Sequence, residues 1–335
     1  MINQLKETID DVNILSNRMI YRSGFAFTSI TYPVNIFDSV IIKLERFESF
    51  TEFDKLTNLH SINEYIQLVN NFQLEKAILI GNDLSFLESC PTLKHLMILP
   101  SMKEEISYKY LYNHPELRSI VWKIDHLRNS AFKDETDYSR IYGLVQLNAE
   151  SKTNESFKNV TTLRSLSVYN QATSDLNGLF VSTELDTLKI TQSGIKSLDG
   201  INISNKMQCV YLHYNRNLSD ISSLSEVKGT IKALRISNCP KILDFSVLGC
   251  LVNLELLELS GSNIIENLDF IKNLKSLKTF IFDFNVLDGD LTPCLNLKYA
   301  VSKKNRKHYN YKDSSLPKKS YFRGNDGIEQ WRRME

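Results

Sequence analysis

One pattern returns along most of this chain and limits what it can become. An apolar residue at position 1 is followed by apolar residues at 4, 6 and 11, with a small or polar residue at 9. The clearest copy runs Leu254, Leu257, Leu259, Ser262, Ile264, and the frame returns at Leu185, Leu188, Ile190, Ser193, Ile195. Another copy is Leu277, Phe280, Phe282, Asn285, Leu287. From Leu163 the copies start at Leu185, Met207, Ile231, Leu254, Leu277 and Leu297, at intervals of 22, 22, 24, 23, 23 and 20 residues. Independent elements would not keep such a beat. A repeat this short cannot bury its own apolar face, so neighbouring copies must stack and cover one another.

The frame extends upstream. Leu74, Ala77, Leu79, Asn82, Leu84 are followed by copies starting at Leu93 and Leu117 and an irregular one at Leu144, Leu147, Ala149. A weaker copy begins Phe37, Val40, Ile42. Positions 4 and 6 flank an outward position 5, the period of a strand with one buried face. Position 9 turns the chain out of the strand, and an Asn there can bond backbone groups of the stacked loops. Position 11 and the later Leu198, Leu268 and Leu291 are expected to fill the core.

This pattern resembles the leucine-rich repeat, and its length of about 22 residues resembles that of bacterial internalins and the regulatory subunit of eukaryotic phosphatase-1. The resemblance covers residues 74–305 well and 37–73 weakly. It implies an α/β solenoid of about ten to twelve repeats, a curved stack with a parallel sheet on its concave face and short 3-10 or irregular convex arcs. The chain departs from the family at position 9, where Ser101, Asp125, Lys152, Gln171, Ser193, Cys239 and Ser262 stand in place of Asn. Cys is a known family alternative, whereas Lys152 and Gln171 would have to point elsewhere. The polar runs 130–138 and 149–156 allow a kink or loop.

The expected organisation is a non-repeat cap over 1–36, a degenerate repeat or helical insertion over 37–73, repeats over 74–305 and a basic cap or tail over 306–335. In the first cap Leu5, Ile9, Val12 and Leu15 recur at helical spacing, and Phe25–Tyr32 reads as a strand. Glu64–Asn70 suggests the helix of the insertion. Residues 327–335 could form a short helix bearing Trp331.

In this family positions 3, 5 and 7 point outward from the concave sheet. In the early repeats those columns hold Ile78, Ile80, Met97, Leu99 and Val121. Contiguous apolar surface of this kind is rarely left open, so either the first 36 residues cover it, or it meets a partner or second copy, or the frame is out of register there. The later columns, with the residue after His213, bring Tyr169, Lys189, Tyr211, His213, Tyr214 and Arg235 together, followed by Glu258 and Asp283. Tyr and Arg are favoured interface anchors, so this patch is the candidate surface for binding another protein.

The chemistry expected here is recognition without catalysis. His213 has no nucleophile beside it; Cys209, four residues back on the same strand, would lie about 13 Å away. The remaining histidines (His60, His95, His114, His126, His308) show no HExxH or paired-Cys spacing for a metal, and no Walker motif or GxGxxG is present. No cofactor is expected.

The formal net charge of +1 opposes a general attraction to nucleic acid or membrane. It hides an imbalance: residues 303–335 hold ten Lys/Arg and four Asp/Glu, a net +6, leaving −5 for the rest. That basic tail, interleaved with Tyr309, Tyr311, Tyr321 and Phe322, is the sole candidate for nucleic acid; packing on the last repeat, or attraction to the acidic body, are the competing readings. Five cysteines without a CxxC pair, no signal-like N-terminus and no long apolar run point to a cytoplasmic protein with reduced thiols. Asn/Lys/Ile-rich usage suits an AT-rich bacterial genome. There such a chain could be a toxin-neutralising immunity protein or a scaffold, with a secreted effector binding a host protein as the alternative.

Overall fold

The computed structural model describes residues 39–43, 61–99, 106–122, 135–149 and 154–318. The expected helix at residues 5–15, the strand at 25–32, Ser101, Asp125, Lys152, Tyr321, Phe322 and the 327–335 helix lie outside them. The chain forms two compact units, divided between Phe157 and Lys158.

In the first unit five parallel strands follow one another: β1 (Ser39–Lys43), β2 (Lys76–Ile80), β3 (His95–Leu99), β4 (Ser119–Trp122) and β5 (Gln146–Ala149). Each begins two residues after an apolar position 1, including the weak start at Phe37 and the irregular one at Leu144. Helix α1 (Ile62–Phe72) precedes β2. Its start follows from Ser61 and Glu64 at capping-box spacing: Ser61 Oγ accepts from the Glu64 amide at 3.3 Å, and Glu64 Oε2 accepts from the Ser61 amide at 2.7 Å. Tyr65 and Val69 are its buried face. One further helical turn, α2 (Lys109–Tyr112), precedes β4.

The second unit repeats the arrangement with greater regularity. Its sheet runs β6 (Ser165–Tyr169), β7 (Thr187–Thr191), β8 (Cys209–His213), β9 (Ala233–Ser237), β10 (Leu256–Ser260), β12 (Thr279–Phe282) and β14 (Tyr299–Ser302). Every pairing is parallel and in one register, so position 4 (Leu166, Leu188, Val210, Leu234, Leu257, Phe280, Ala300) forms one row. All seven are buried, as are Leu198, Leu268 and Leu291 on the returning arcs. Each such Leu or Ile contributes roughly 1.5–3 kcal/mol on burial.

Two recurring hydrogen-bond patterns shape the loops, one a ladder between repeats and one local to each arc. The first occupies position 9. Ser193 Oγ accepts from the Gln171 amide at 3.0 Å, and Asn215 Oδ1 accepts from the Ser193 amide at 2.9 Å while its Nδ2 donates to the Ile190 carbonyl at 3.0 Å. Gln171 is buried in this ladder, Nε2 donating to the Tyr169 carbonyl, and does not turn away as the family pattern suggested. The corner just before it takes a positive φ at Asn170, Gln192, Tyr214 and Asn238. The second pattern, within each arc, starts the 3-10 turns. An Asp or Asn accepts from the amide two residues on, as Asp83–Ser85, Asp137–Ser139, Asn154–Ser156, Asp220–Ser222, Asp244–Ser246, Asn267–Asp269 and Asp290–Thr292.

The last full repeats depart from the frame by one residue, in opposite directions. Gly261, at φ 139°, adds a residue to the corner, so Asn263 rather than Ser262 enters the ladder and donates to the Cys239 and Ile242 carbonyls. Ile265 becomes the buried residue and Ile264 is 53% exposed; in the next repeat Val286 is buried and Leu287 is 54% exposed. The expected core roles of Ile264 and Leu287 are therefore corrected. Here a small second sheet forms, in which β11 (Ile264–Ile265) pairs with β13 (Asn285–Val286).

Residues 303–318 close this end. Tyr309 Oη donates to the Phe284 carbonyl at 3.0 Å and accepts from the Val286 amide at 3.1 Å, and Leu316 is buried. All five cysteines are free thiols, and burial pushes Cys90 and Cys239 up to about 11 and Cys209 and Cys294 up to about 12.

Candidate recognition face of the second unit

The common register converts sequence columns into rows of side chains on the open face of the sheet. Position 5 runs Ser167, Lys189, Tyr211, Arg235, Glu258, Ile281, Val301 across β6 to β14. Position 7 runs Tyr169, Thr191, His213, Ser237, Ser260 over β6 to β10, and continues in sequence to Asp283 and Lys303. The candidates Lys189, Tyr211, Arg235 and Glu258 thus share one row, and Tyr169 and His213 the next. Tyr214 lies beyond the strand, at a corner.

These side chains are not uniformly presented to solvent. Tyr211 is 5% and Arg235 9% exposed, whereas Tyr169, Lys189, His213, Glu258 and Asp283 are half-buried and Tyr214 is 42% exposed. The expectation that the whole patch is open surface is corrected for Tyr211 and Arg235, because neighbouring long side chains on adjacent strands pack over one another. The Arg235 guanidinium lies 5.4 Å from the Tyr211 ring centroid, and its Nε is 3.5 Å from Glu258 Oε2. Glu258 Oε1 then meets Lys303 Nζ at 2.7 Å, and Lys303 Nζ donates to Ser260 Oγ at 3.0 Å. Asp283 Oδ1 accepts from the Gly261 amide at 2.5 Å, and its Oδ2 lies 3.8 Å from Lys304 Nζ.

The electrostatics follow from this packing. Burial raises the Glu258 carboxyl, but Arg235 and Lys303 outweigh it and hold the group below its usual value. Burial, reinforced by Lys189 and Arg235, lowers His213 to about 3, so its imidazole is neutral near pH 7. Burial also raises the Tyr211 phenol. Buried His213 Nε2 and Thr191 Oγ1, on adjacent strands, have no hydrogen-bond partner. Ser237 Oγ accepts from Asn238 Nδ2 at 3.3 Å, and the Cys209 thiol is raised, opposite to an activated nucleophile.

Thr191, Ser260 and Lys303 were missed among the candidates, although all three stand at position 7; following that column to its ends would have found them. Lys303 and Lys304 reach back to Glu258 and Asp283, and Tyr309 is bonded to the repeat that starts at Leu277. This is the attraction between tail and acidic body weighed above, and it occupies part of the stretch that was the sole candidate for nucleic acid. In the first unit, the register pairs Ile78 with Met97, Ile80 with Leu99 and Met97 with Val121. The surroundings of those five side chains lie outside the described residues.

Among the described residues no group of three or more His, Cys, Asp or Glu could hold a metal, and no helix is long and apolar enough to cross a membrane. No family model matches the chain, and no curated protein matches it. Solved structures do. An internalin of Listeria monocytogenes is 19% identical at a TM-score of 0.54, covering 84% of this chain and 85% of that one. A leucine-rich repeat protein of Leptospira interrogans is 14% identical at a TM-score of 0.51, covering 84% and 78%. At such identities the likeness speaks for architecture alone, and with the register and hydrogen-bond patterns above it establishes that the chain has the leucine-rich repeat fold.

Proposed function

We propose that the open face of the second unit recognises another protein and performs no catalysis. The observation that carries this reading is the preorganised chain of contacts Tyr211–Arg235–Glu258–Lys303, drawn from four repeats. Its members are fixed by one another and by the sheet, so a partner meeting them pays little ordering entropy. Tyr169, Lys189 and Tyr214 are the more accessible members, with Asp283 at the far edge, and Tyr and basic residues over a buried support are common interface anchors. Tyr214 adds a second sign. It holds φ 54° at a corner where the repeats on either side use Gln192 and Asn238, and a bulky residue in that region is strained by about 1–3 kcal/mol, a cost often found at binding sites.

The role supported by a solenoid with this face and five free thiols is a cytoplasmic immunity protein that neutralises a toxin, or a scaffold. A photo-crosslinking residue placed at Tyr169, and in a second chain at Leu243 on an exposed arc (86% exposed), tests the surface in extract of the source cell. A defined polypeptide adduct from position 169 and none from 243 supports the reading. Equal adducts from both, or none from 169, overturns it.

A further inference from the structure

The charges of this face do not balance, and the way they are paired indicates what the face can accept. Five cations border it, Lys189, Arg235, Lys303, Lys304 and Arg306, against two carboxylates, Glu258 and Asp283, a surplus of three positive charges. Both carboxylates are already engaged from within the chain. Glu258 is held by Arg235 at 3.5 Å and Lys303 at 2.7 Å, and Asp283 by Lys304 at 3.8 Å and the Gly261 amide at 2.5 Å, while Arg306 donates to the Asp283 carbonyl at 3.3 Å. A basic partner would have to compete for acids that are satisfied. An acidic one would meet the surplus of positive charge that these pairs leave.

A second, independent observation locates the point of contact. Thr191 Oγ1 and His213 Nε2 are register neighbours on β7 and β8, both buried and both without a hydrogen-bond partner. Lys189 is two residues from Thr191, on the same face of β7 and in register with Tyr211. Buried polar atoms without partners are rare, and each ordinarily has a reason. A hydroxyl and a neutral imidazole N–H can both donate to one carboxylate, and Lys189 supplies the opposing charge. Both atoms are sealed in the chain alone, so the ligand displaces a neighbouring side chain to reach them.

We propose that the face takes an acidic peptide segment of its partner, with one carboxylate seated over β7 and β8 on Thr191 Oγ1 and His213 Nε2, opposite Lys189. This rests on the protein-recognition reading above and names the chemistry of the segment it would bind. Tyr169, in register with Thr191, and Tyr214, directly after His213, stand beside the seat in the register and would cover the apolar parts of the same segment.

A phage-displayed random decapeptide library, panned against the immobilised full chain, tests it. Enriched decapeptides are expected to be net acidic with one indispensable Asp or Glu. The acidic enrichment should be lost with Lys189→Glu, and affinity for an enriched peptide should fall roughly tenfold or more in Thr191→Val and in His213→Phe, the size of a lost hydrogen bond to a charged group. Circular dichroism confirms that each variant is folded, and His213→Gln, which keeps a donor, should retain more affinity than His213→Phe. Enrichment of neutral or basic peptides, no enrichment, or enrichment indifferent to Lys189→Glu overturns the proposal. If crosslinking from position 169 still captures a defined polypeptide in that event, only the carboxylate seat falls; if it captures none, the recognition reading falls with it.

Discussion

Substituting Asn215 by Ala tests whether the position-9 ladder holds the second unit together. Asn215 is fully buried and joins two segments: its Nδ2 donates to the Ile190 carbonyl at 3.0 Å, and its Oδ1 accepts from the Ser193 amide at 2.9 Å. Alanine removes both partners without removing the need for them. Each stranded buried backbone group costs about 1–3 kcal/mol, and a water entering the vacated space recovers part of that, so the expected loss is about 2–4 kcal/mol. Asn217, two residues on, is a matched control: it is exposed and only accepts from Lys241 Nζ at 3.1 Å, so Asn217→Ala should change stability by less than about 0.5 kcal/mol. Urea unfolding followed by circular dichroism reads the difference as a shift in midpoint at constant slope, and hydrogen exchange over β7 and β8 should accelerate in Asn215→Ala alone. Equal stability of the two variants would refute the ladder argument.

Two further outcomes follow from the site and the cap. With a folded pKa of about 3 against an unfolded value of about 6.5, His213 keeps its contribution intact above pH 6.5 and loses it progressively as pH falls towards 3; at pH 5 the deficit is about 1.5 units, or about 2 kcal/mol. The drop in urea midpoint between pH 7.5 and pH 5 should therefore shrink in His213→Gln, and an unchanged drop would contradict the burial argument. Gly289 has φ 68° and a Cβ there would sit 2.2 Å from the His308 carbonyl oxygen, whereas Gly178, at φ 72°, has nothing within 4 Å. Gly178→Ala should cost about 1–2 kcal/mol from backbone conformation alone, and Gly289→Ala clearly more, with faster hydrogen exchange across residues 303–318; equal costs would mean that the cap is not seated there.

How far this architecture could be read from the chain depended on the range of the forces involved. Position 1 located each strand, each of which starts two residues after it, even at the weak Phe37 and irregular Leu144 copies; from Leu93 to Leu297 the position-1 residues are buried. The arc after the strand was less legible. One extra residue at Gly261 moved the buried side chain from Ile264 to Ile265, and the alternation of apolar residues there fits either frame. The Asx-x-Ser/Thr signal of the arcs was present in the chain at Asp83, Asp220 and Asp244 but is too common a turn pattern to stand out alone. For the face, the columns named the correct rows. What they could not give was the pairing of Glu258 with Lys303, 45 residues away, or the burial of Tyr211 and Arg235. Both arise from side chains of adjacent strands leaning on one another, which no periodicity records.

The central claim is that recognition resides on the open face of the second unit and is governed by the charge at Lys189. The affinity of the captured partner for chains carrying Lys189→Glu or Leu243→Glu measures this most directly, since both reverse or add charge at accessible positions but only one lies on that face. The account predicts a loss of about 30-fold or more for Lys189→Glu and less than about twofold for Leu243→Glu, in line with a charge at an interface centre against one outside it. Equal losses, or a loss confined to Leu243→Glu, would contradict it.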